Sequence, residues 1–584
     1  MNKHIALNKK EIHQFSDALK DSMSRNDIKE IALKATALVV TYPDLVQQDL
    51  KQAIEMAEQE HPQAFVGYRN NSLSRIQDIS ALERFINYLS DAQVKGLLNK
   101  DNKQEWVRAL LPTVGGSEDS PGFVLQDDLY ELLHSLLSKR GADTLYIPFE
   151  ERFSNTLMLG RTRSVYAESL KSSVVPHLFD LILGGVYYHH GNALLNPAFI
   201  ENGKLQQFDA GFIADPLGCH GVDKELKLDS RFAVHTNSYE NYLIQHAMQQ
   251  VTGLLMMVTP TGAMTSSVAS ELVMRQWLLE QKHLKAVISL PSGMIKNASI
   301  NSVLMVFDMS QQYDTVSFIT LKDSKFLHRK GRDLGLVDID RLTSIILSDE
   351  DSDNKVTVSH ADITKQGYVL DPERYVVNEE TKQAMDVIEQ HQTLPLGQLV
   401  DILRPIAIGK LKQGGGELVF EIQGGDLPDF GYIDTVSKSS SVSKEVIEEL
   451  DAYILQNDDI IIIIRGSVGK VGIVSQDLID RYQSRVIAGQ ASMVLRVKAN
   501  SPMSSSALLM QLRSGFGQAR LKLLASGTVI AGISIKDLKE FPVAILPAES
   551  HRKSAENLAK QQAFKQEIAQ KQQQMQQLDN YIWL

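Results

Sequence analysis

The chain has a single cysteine, Cys219, in 584 residues. One thiol closes no disulfide and supplies no Cys-based zinc site, which sets aside stapled secreted folds and zinc fingers. It fits a reducing compartment. A basic excess is missing too: 60 Lys and Arg stand against 71 Asp and Glu, for a formal net charge of -11. Such a chain does not coat nucleic acid indiscriminately, although phosphate contacts need only a local basic face. The most apolar run, Ile460 to Ile464, is far short of the roughly 20 residues that span a bilayer. The opening MNKHIALNKKEIHQF lacks the apolar core of roughly 7–15 residues that a signal peptide uses. These absences set the expectation of a cytoplasmic protein that does not enter a membrane.

What is present is an ordinary globular balance, 43% hydrophobic and 22% charged, with length enough for about three or four domains. Residues 1–118 read as helical: NKKEIHQFSDALKDSM and ALERFINYLSDAQVKGLLN carry apolar residues at i, i+3, i+4 spacing. Pro112 and GGSEDSPG end the segment. Residues 119–330 alternate. Helix-like LQDDLYELLHSLLSKR leads to strand-like DTLYIPF, then to VYAESLKSSVVPHLFDLIL, expected to be helical and bent at Pro176. The short run AGFIA, helical ENYLIQHAMQQV, strand GLLMMVTP, helical ASELVMRQWLLEQ and strands LKAVISLP and NSVLMVFD follow. This alternation predicts a Rossmann-like α/β domain with a mainly parallel sheet, which binds ligands at the carboxyl ends of its strands. Residues 331–395, with SDEDSDN, read as a charged connector. Residues 396–548 change character, to strand-like ELVFEIQ, DDIIIIIRGSVGKVGIV and ASMVLRV between Gly, Asp and Ser turns, an α+β domain. Residues 549–584 hold no Pro or Gly and predict one long helix. Its thin apolar stripe is Leu558, Phe564, Ile568, Met575 and Leu578, which suits either a surface helix or a helix that pairs with another.

Residues 119–330 resemble the modification subunit of type I restriction-modification systems, the adenine-N6 DNA methyltransferases. The resemblance lies in a series in the right order. QFDAGFIADPLG looks like the family's Phe-Asp, apolar strand and Asn-Pro-Pro-Phe. HHGNALLNPAF looks like its Gly-Asp-x-Leu turn, and the stretch from GLLMMVTP to VLMVFD resembles its later strands and Arg-bearing helix. Residues 396–584 resemble a target-recognition domain of the type I specificity subunit, carried by GDLPDFGYID, LQNDDIIIIIRGSVGKVGIV, ASGTVIAGISIKDLKEFPVAILP and the final helix. The two resemblances together imply a modification subunit fused to half a specificity subunit.

The resemblance assigns roles residue by residue. Asp215 and Pro216 stand at the catalytic motif, where a side-chain oxygen and a backbone carbonyl hold the adenine amino group. Leu217 and Gly218 complete it without the aromatic ring on which a flipped base stacks. Asn196-Pro197-Ala198-Phe199 mimics that motif but comes one step early and reads as an incidental loop. For S-adenosylmethionine, the implied cofactor, the corresponding residues are Phe123 at the start of the donor site, Pro148 on the donor loop, Glu168 for the ribose hydroxyls and Asn192 for the adenine ring. The donor loop departs from Asp-Pro-x-x-Gly-x-Gly. It reads IPFEERFS, with Ile147 for Asp and Glu151, Arg152 and Ser154 in place of glycines that admit close backbone approach. Glu150 to Arg152 does not form a metal site, and no other metal ligand stands out.

In the last domain Arg465, Ser467 and Lys470 lie on a Gly-rich turn, with Lys410 and Lys412 on another loop. Arg suits guanine and Lys or Ser suits phosphate. They are the candidate contacts to double-stranded DNA; the other reading is that they are ordinary hairpin residues. A single recognition domain implies a homodimer through helix 549–584 if a split site is read. No phosphate loop of the form Gly-x-x-x-x-Gly-Lys-Ser/Thr occurs, so a nuclease or translocase would be a separate subunit. Three functions are carried forward. They are a DNA-binding modification/specificity subunit of a restriction-modification or phage-defence system with degenerate donor and catalytic motifs, an active adenine-N6 methyltransferase with a divergent donor loop, and a non-catalytic reader of modified DNA.

Overall fold

A computed structural model describes residues 9–21, 23–66, 73, 79–99, 102–115, 124–151, 153–161, 163–214, 222–266, 268–296, 300–321, 324–330, 333–376, 390–406, 413–443, 449–524 and 532–580. The chain forms two compact units, Met1–Tyr375 and Val376–Leu584.

The first unit begins with helices α1 (Lys9–Leu19), α2 (Arg25–Thr41), α3 (Leu50–Glu60), α4 (Ile79–Val94) and α5 (Lys103–Gly115). Ser24 opens α2 with a reciprocal cap: its side chain accepts from the Asp27 N–H, and the Asp27 carboxylate accepts from the Ser24 N–H, which satisfies two otherwise orphaned donors. Phe15 stacks on Phe85 with ring centroids 4.2 Å apart, and Trp106 is fully buried. After these come α6 (Asp127–Lys139) and α7 (Ser154–Leu159), then α8 (Val175–Leu183). The bundle core does not close on itself. Leu178, Phe179 and Ile182 of α8 belong to the same buried cluster as Ile31, Leu38 and Phe85.

The remaining strands are β1 (Thr144–Ile147), β2 (Ser164–Ser169), β3 (Val186–His190), β4 (Phe208–Ile213), β5 (Val251–Pro260), β6 (Leu284–Leu290), β7 (Ser302–Asp308), β8 (Thr315–Thr320) and β9 (Lys355–Ser359). They form one nine-stranded sheet in the order β3-β2-β1-β4-β5-β7-β6-β8-β9. β7 is antiparallel to both neighbours, and β9 is antiparallel at the edge. β6 and β7 are buried at every position, as expected of strands covered on both faces. Asp209 pins β1 beside β4. Its Oδ2 accepts from the Thr144 N–H at 2.9 Å and the Thr144 hydroxyl at 2.8 Å.

Two expectations change here. VYAESL is strand β2, because alternating Val165 and Ala167 are buried on one side of the sheet. Pro176 sits in the first turn of α8, where its missing N–H costs nothing, and does not bend a longer helix. Residues 331–395, expected as connector, contain the strand Asp333–Leu336, which pairs with Leu327–Lys330, a helix at Ile339–Leu347 and β9. Leu342 and Ile346 are buried in the sheet's core, so the charged SDEDSDN is a turn inside the first unit.

The second unit has strands β10 (Val400–Leu403), β11 (Gln413–Ile422), β12 (Lys438–Val442), β13 (Ile460–Ile463), β14 (Val471–Ile473), β15 (Val486–Ala488) and β16 (Ser492–Val497). One sheet runs β10-β16-β13-β14 and another β12-β11-β15. β13 is wholly buried, with Ile460 and Ile462 in one core and Ile461 and Ile463 in the other. That explains an unbroken Ile run where a half-exposed strand would alternate. The long helix is observed at Ala548–Asn580.

Because Phe179 joins the helical bundle to the sheet, Phe179→Ala is expected to cost about 3–5 kcal/mol. Urea unfolding should show a lowered midpoint. Amides of α2 should lose hydrogen-exchange protection together with those of α8.

Candidate functional site

The carboxyl ends of β1 and β2 form the region where the sheet order places a ligand. β1 ends at Ile147, and Pro148 follows it, buried. The loop after it turns inward. Glu150 is fully buried. Its Oε2 accepts from the Thr156 N–H at 2.9 Å and the Thr156 hydroxyl at 3.1 Å. Its Oε1 accepts from the Asn155 side chain at 3.3 Å, and Asn155 in turn accepts from the Tyr130 hydroxyl at 2.7 Å. The Glu150 N–H donates to the Glu168 carbonyl at 2.8 Å, tying the loop to β2. Phe153 holds φ +60, a left-handed conformation that a bulky side chain enters only under constraint. Glu151 is ion-paired to Lys171, and Arg152 lies outside the described residues.

Glu168 sits on strand β2, fully buried, and not on a helix as expected. Both carboxylate oxygens are engaged inside the protein. Oε1 accepts from the Tyr146 hydroxyl at 2.8 Å and Oε2 from the Ala198 N–H at 3.0 Å. Burial pushes its pKa up, against the lowering effect of these hydrogen bonds and of Arg231. Tyr146 has one proton and gives it to Glu168, so the 2.9 Å contact with His246 Nε2 requires His246 to donate there. His246 Nδ1 is then a bare acceptor facing the Arg231 guanidinium at 3.4 Å. Burial, and secondarily Arg231, lowers the His246 pKa to about 3. Arg231 is anchored by Asp229 and by the Leu194 carbonyl. Sequence reasoning missed Glu150, Tyr146, His246 and Arg231. The alternation of Tyr146 with apolar strand residues was the available signal for one of them.

Asn192 is half-buried. Its Oδ1 accepts from the Leu194 N–H at 3.0 Å, and its Nδ2 donates to the Tyr239 hydroxyl at 2.7 Å. The segment Asn196 to Phe199 is not an incidental loop. Ala198 caps Glu168, and the Phe199 ring meets Tyr146 at 6.1 Å and Tyr166 at 5.3 Å, both edge-on. Pro148, Glu168 and Asn192 are thus gathered at one end of the sheet, each engaged by the chain itself. β4 ends at Ile213, immediately before the motif. Asp215, Pro216, Leu217 and Gly218 lie outside the described residues, as does Phe123. Among the described residues no group of three or more His, Cys, Asp or Glu could hold a metal ion.

In the second unit Arg465, Ser467 and Lys470 share the turn between β13 and β14. Arg465 and Ser467 are exposed and Lys470 is half-buried. Gly466 at φ +82 and Gly469 at φ +86 turn the chain, where a side chain would be strained. The Gly469 N–H returns to the Ile463 carbonyl at 2.9 Å, and Gln518 holds the Gly469 carbonyl at 2.9 Å. Lys410 and Lys412 lie outside the described residues. The long helix docks through its first half: Leu558 is buried, Gln562 accepts from the Tyr432 N–H at 3.0 Å and donates to Asp434 at 3.0 Å. Farther along, Phe564, Ile568, Met575 and Leu578 are exposed. No helix among the described residues is long and apolar enough to cross a membrane.

Comparison with known proteins agrees with this division. The N-6 DNA methylase family matches residues 179–384, and the type I restriction modification DNA specificity domain matches residues 411–579. Among solved structures, the type I restriction-modification methyltransferase subunit from Streptococcus thermophilus is 16% identical with a TM-score of 0.50. The match covers 63% of this chain and 98% of that one. The type IIG restriction endonuclease BpuSI is 11% identical with a TM-score of 0.49, over 94% of this chain and 74% of that one. No curated protein matches in sequence. The first unit therefore has the fold of an N6-type DNA methyltransferase. The chain joins, in one polypeptide, a domain of the N-6 DNA methylase family and a type I restriction modification DNA specificity domain.

The His246 geometry has a pH signature. A neutral imidazole in the fold and a protonated one in the unfolded chain make the unfolded state bind more protons between about pH 6.5 and pH 3. Stability on this account is fully present above that window and is lost as pH falls through it, by up to about 1.4 kcal/mol per pH unit. His246→Gln should lose less stability than the parent between pH 7 and pH 5, read as the shift in urea midpoint. Parallel shifts would contradict the assignment.

Proposed function

We propose that the chain is the DNA-binding modification/specificity subunit of a restriction-modification or related phage-defence system, and that its donor and catalytic motifs are degenerate. The observation that carries the second half is the state of Glu168. A ribose needs the two oxygens of that carboxylate, and here Tyr146 and Ala198 hold them. S-adenosylmethionine does not fit the residues present. The loop after β1 lacks glycine from Ile147 to Leu159, and Glu150 turns into the space beside the start of α7. At the base-handling motif, Asp215 and the Pro216 carbonyl keep two acceptors for an amino group. Gly218 brings no ring, which forgoes stacking of roughly 1–3 kcal/mol per base.

The specificity domain reads DNA in this account. The reading assigns Arg465 to a base edge and Ser467, Lys470, Lys410 and Lys412 to phosphate. A gel-shift titration on the preferred duplex tests this. Arg465→Ala should cost about 1–3 kcal/mol and relax the sequence preference, whereas Lys470→Ala should weaken all sequences alike and flatten the salt dependence by about one ion. The same reactions run with labelled S-adenosylmethionine should leave no label on adenine. Label transferred at a steady rate would favour the active methyltransferase instead.

A split site read by one recognition domain per chain requires two chains, and the exposed stripe of the long helix supplies the contact. Phe564, Ile568, Met575 and Leu578 are spaced by four, seven and three residues, which keeps them on one seam. A nuclease or translocase partner would then join the dimer. Light scattering at micromolar concentration should give twice the chain mass, and the double variant Ile568→Asp with Met575→Asp should halve it. A parent protein that is monomeric with and without DNA would overturn the dimer.

A further inference from the structure

Outside the donor region the first unit has a cavity of about 520 Å³, lined by Pro62, Gln63, Val66, Ser172, Ser173, His177, Tyr188, His189 and His190. Four separate stretches build it, one of them α8, which supplies His177. Pro62 and Gln63 come from the short helix Pro62–Phe65 and Val66 from its end, Ser172 and Ser173 from the loop after β2, and Tyr188 to His190 from the end of the edge strand β3. None of Glu150, Glu168 or Asn192 lines it. It is thus distinct from the donor region, although it uses the same two loops. The Gly191 N–H donates to the Ser169 carbonyl at 2.9 Å, and the His190 ring bonds the Leu170 carbonyl at 3.2 Å. These contacts knit the strand end before Asn192 to the loop after Glu168.

The lining has a definite chemistry. It contains hydroxyls, imidazoles, an amide and a phenol, and no carboxylate, ammonium or guanidinium. The side chains of Ser172, His177 and His189 have no hydrogen-bond partner among the described residues. The Ser173 hydroxyl accepts from the Val175 N–H at 3.2 Å, which leaves its own proton free to donate. The Tyr188 ring stands edge-on to His177 with centroids 5.4 Å apart, giving flat aromatic surface. An occupant must therefore be rich in acceptors and must offer a planar ring. An inorganic anion alone would leave most of the volume empty. The volume lies within the range of about 300–1,000 Å³ that holds small ligands. Sites of this kind form at the carboxyl ends of strands in an open α/β sheet.

We propose that this cavity is a second ligand site of the methyltransferase-like unit and that it takes a nucleoside monophosphate. The base lies against the Tyr188 and His177 rings, and the phosphate accepts from Ser172, Ser173 and the neighbouring imidazoles. The site does not depend on the donor region being degenerate. Through its two shared loops, an occupant would bear on the positions of Glu168 and Asn192.

Calorimetric titration of the full chain with AMP, GMP, CMP and UMP, with inorganic phosphate and adenosine as separate probes, tests the proposal. At least one mononucleotide should saturate one site per chain and bind at least about tenfold more tightly than phosphate or adenosine alone. Ser172→Asp, which sets a carboxylate at an exposed position on the rim, should weaken it at least about tenfold without changing thermal unfolding. His177→Ala should do the same, and if that variant fails to fold, Ser172→Asp decides. Three results would overturn the site. They are no saturation by any mononucleotide at millimolar concentration, binding equal to that of phosphate alone, and binding that survives Ser172→Asp but is lost in Glu168→Gln. The last would put the ligand in the donor region.

Discussion

The first unit turns on one buried carboxylate. Glu168 has no access to water, so each of its oxygens must find a donor within the protein or leave a buried charge uncompensated. Tyr146 supplies one donor and the Ala198 N–H the other. Once Tyr146 spends its proton on Glu168, His246 must be the Nε2–H tautomer, and Arg231 must face a bare Nδ1. Asp229 then neutralises Arg231. A chain of five polar side chains follows from a single strand-end acid. It links β1, β2 and the helix at Tyr239–Ala247, and it holds the segment around Ala198 against the sheet.

The same constraint ties structure to function. In a methyltransferase fold the end of β2 is where a donor's ribose belongs, and an acid there is useful only if its oxygens are free when the donor arrives. Here a phenol and a backbone amide hold both oxygens of Glu168, which is the basis of the proposal that the donor site is degenerate. On the other side of β1 the Glu150 carboxylate caps the Thr156 amide in a loop without glycine. Both halves of the donor region are closed by the chain's own hydrogen bonds, and opening either would expose a buried carboxylate. The type I specificity domain match lies in the second unit, where a turn with two positive-φ glycines leaves Arg465 and Ser467, the proposed DNA contacts, exposed.

Much of this was legible in the sequence. The helix at Asp127–Lys139, the strands at Thr144–Ile147 and from Phe208 to Asp308, the Ile460 strand and the long last helix follow from periodicity and composition. The fusion was legible through the family resemblance carried by FDAGFIADP and IIRGSVGKVG. What was not legible has physical reasons. SVYAES read as helix because its surroundings are helix formers, while its burial between two parallel strands is a tertiary fact. The charged run SDEDSDN hid a short edge strand, because an edge needs little apolar sequence. Phe199 looked incidental because its partners, Tyr146, Tyr166 and Phe208, lie on three different strands. No local pattern announces that a strand-end acid will be capped by an amide 30 residues away.

The central claim is that the donor region is filled by the protein itself. Isothermal titration of the full chain with S-adenosylmethionine, in the presence of the preferred DNA duplex, measures it most directly. The account predicts no saturable heat at micromolar donor. Saturable micromolar binding at one site per chain, abolished by Glu168→Gln, would contradict it.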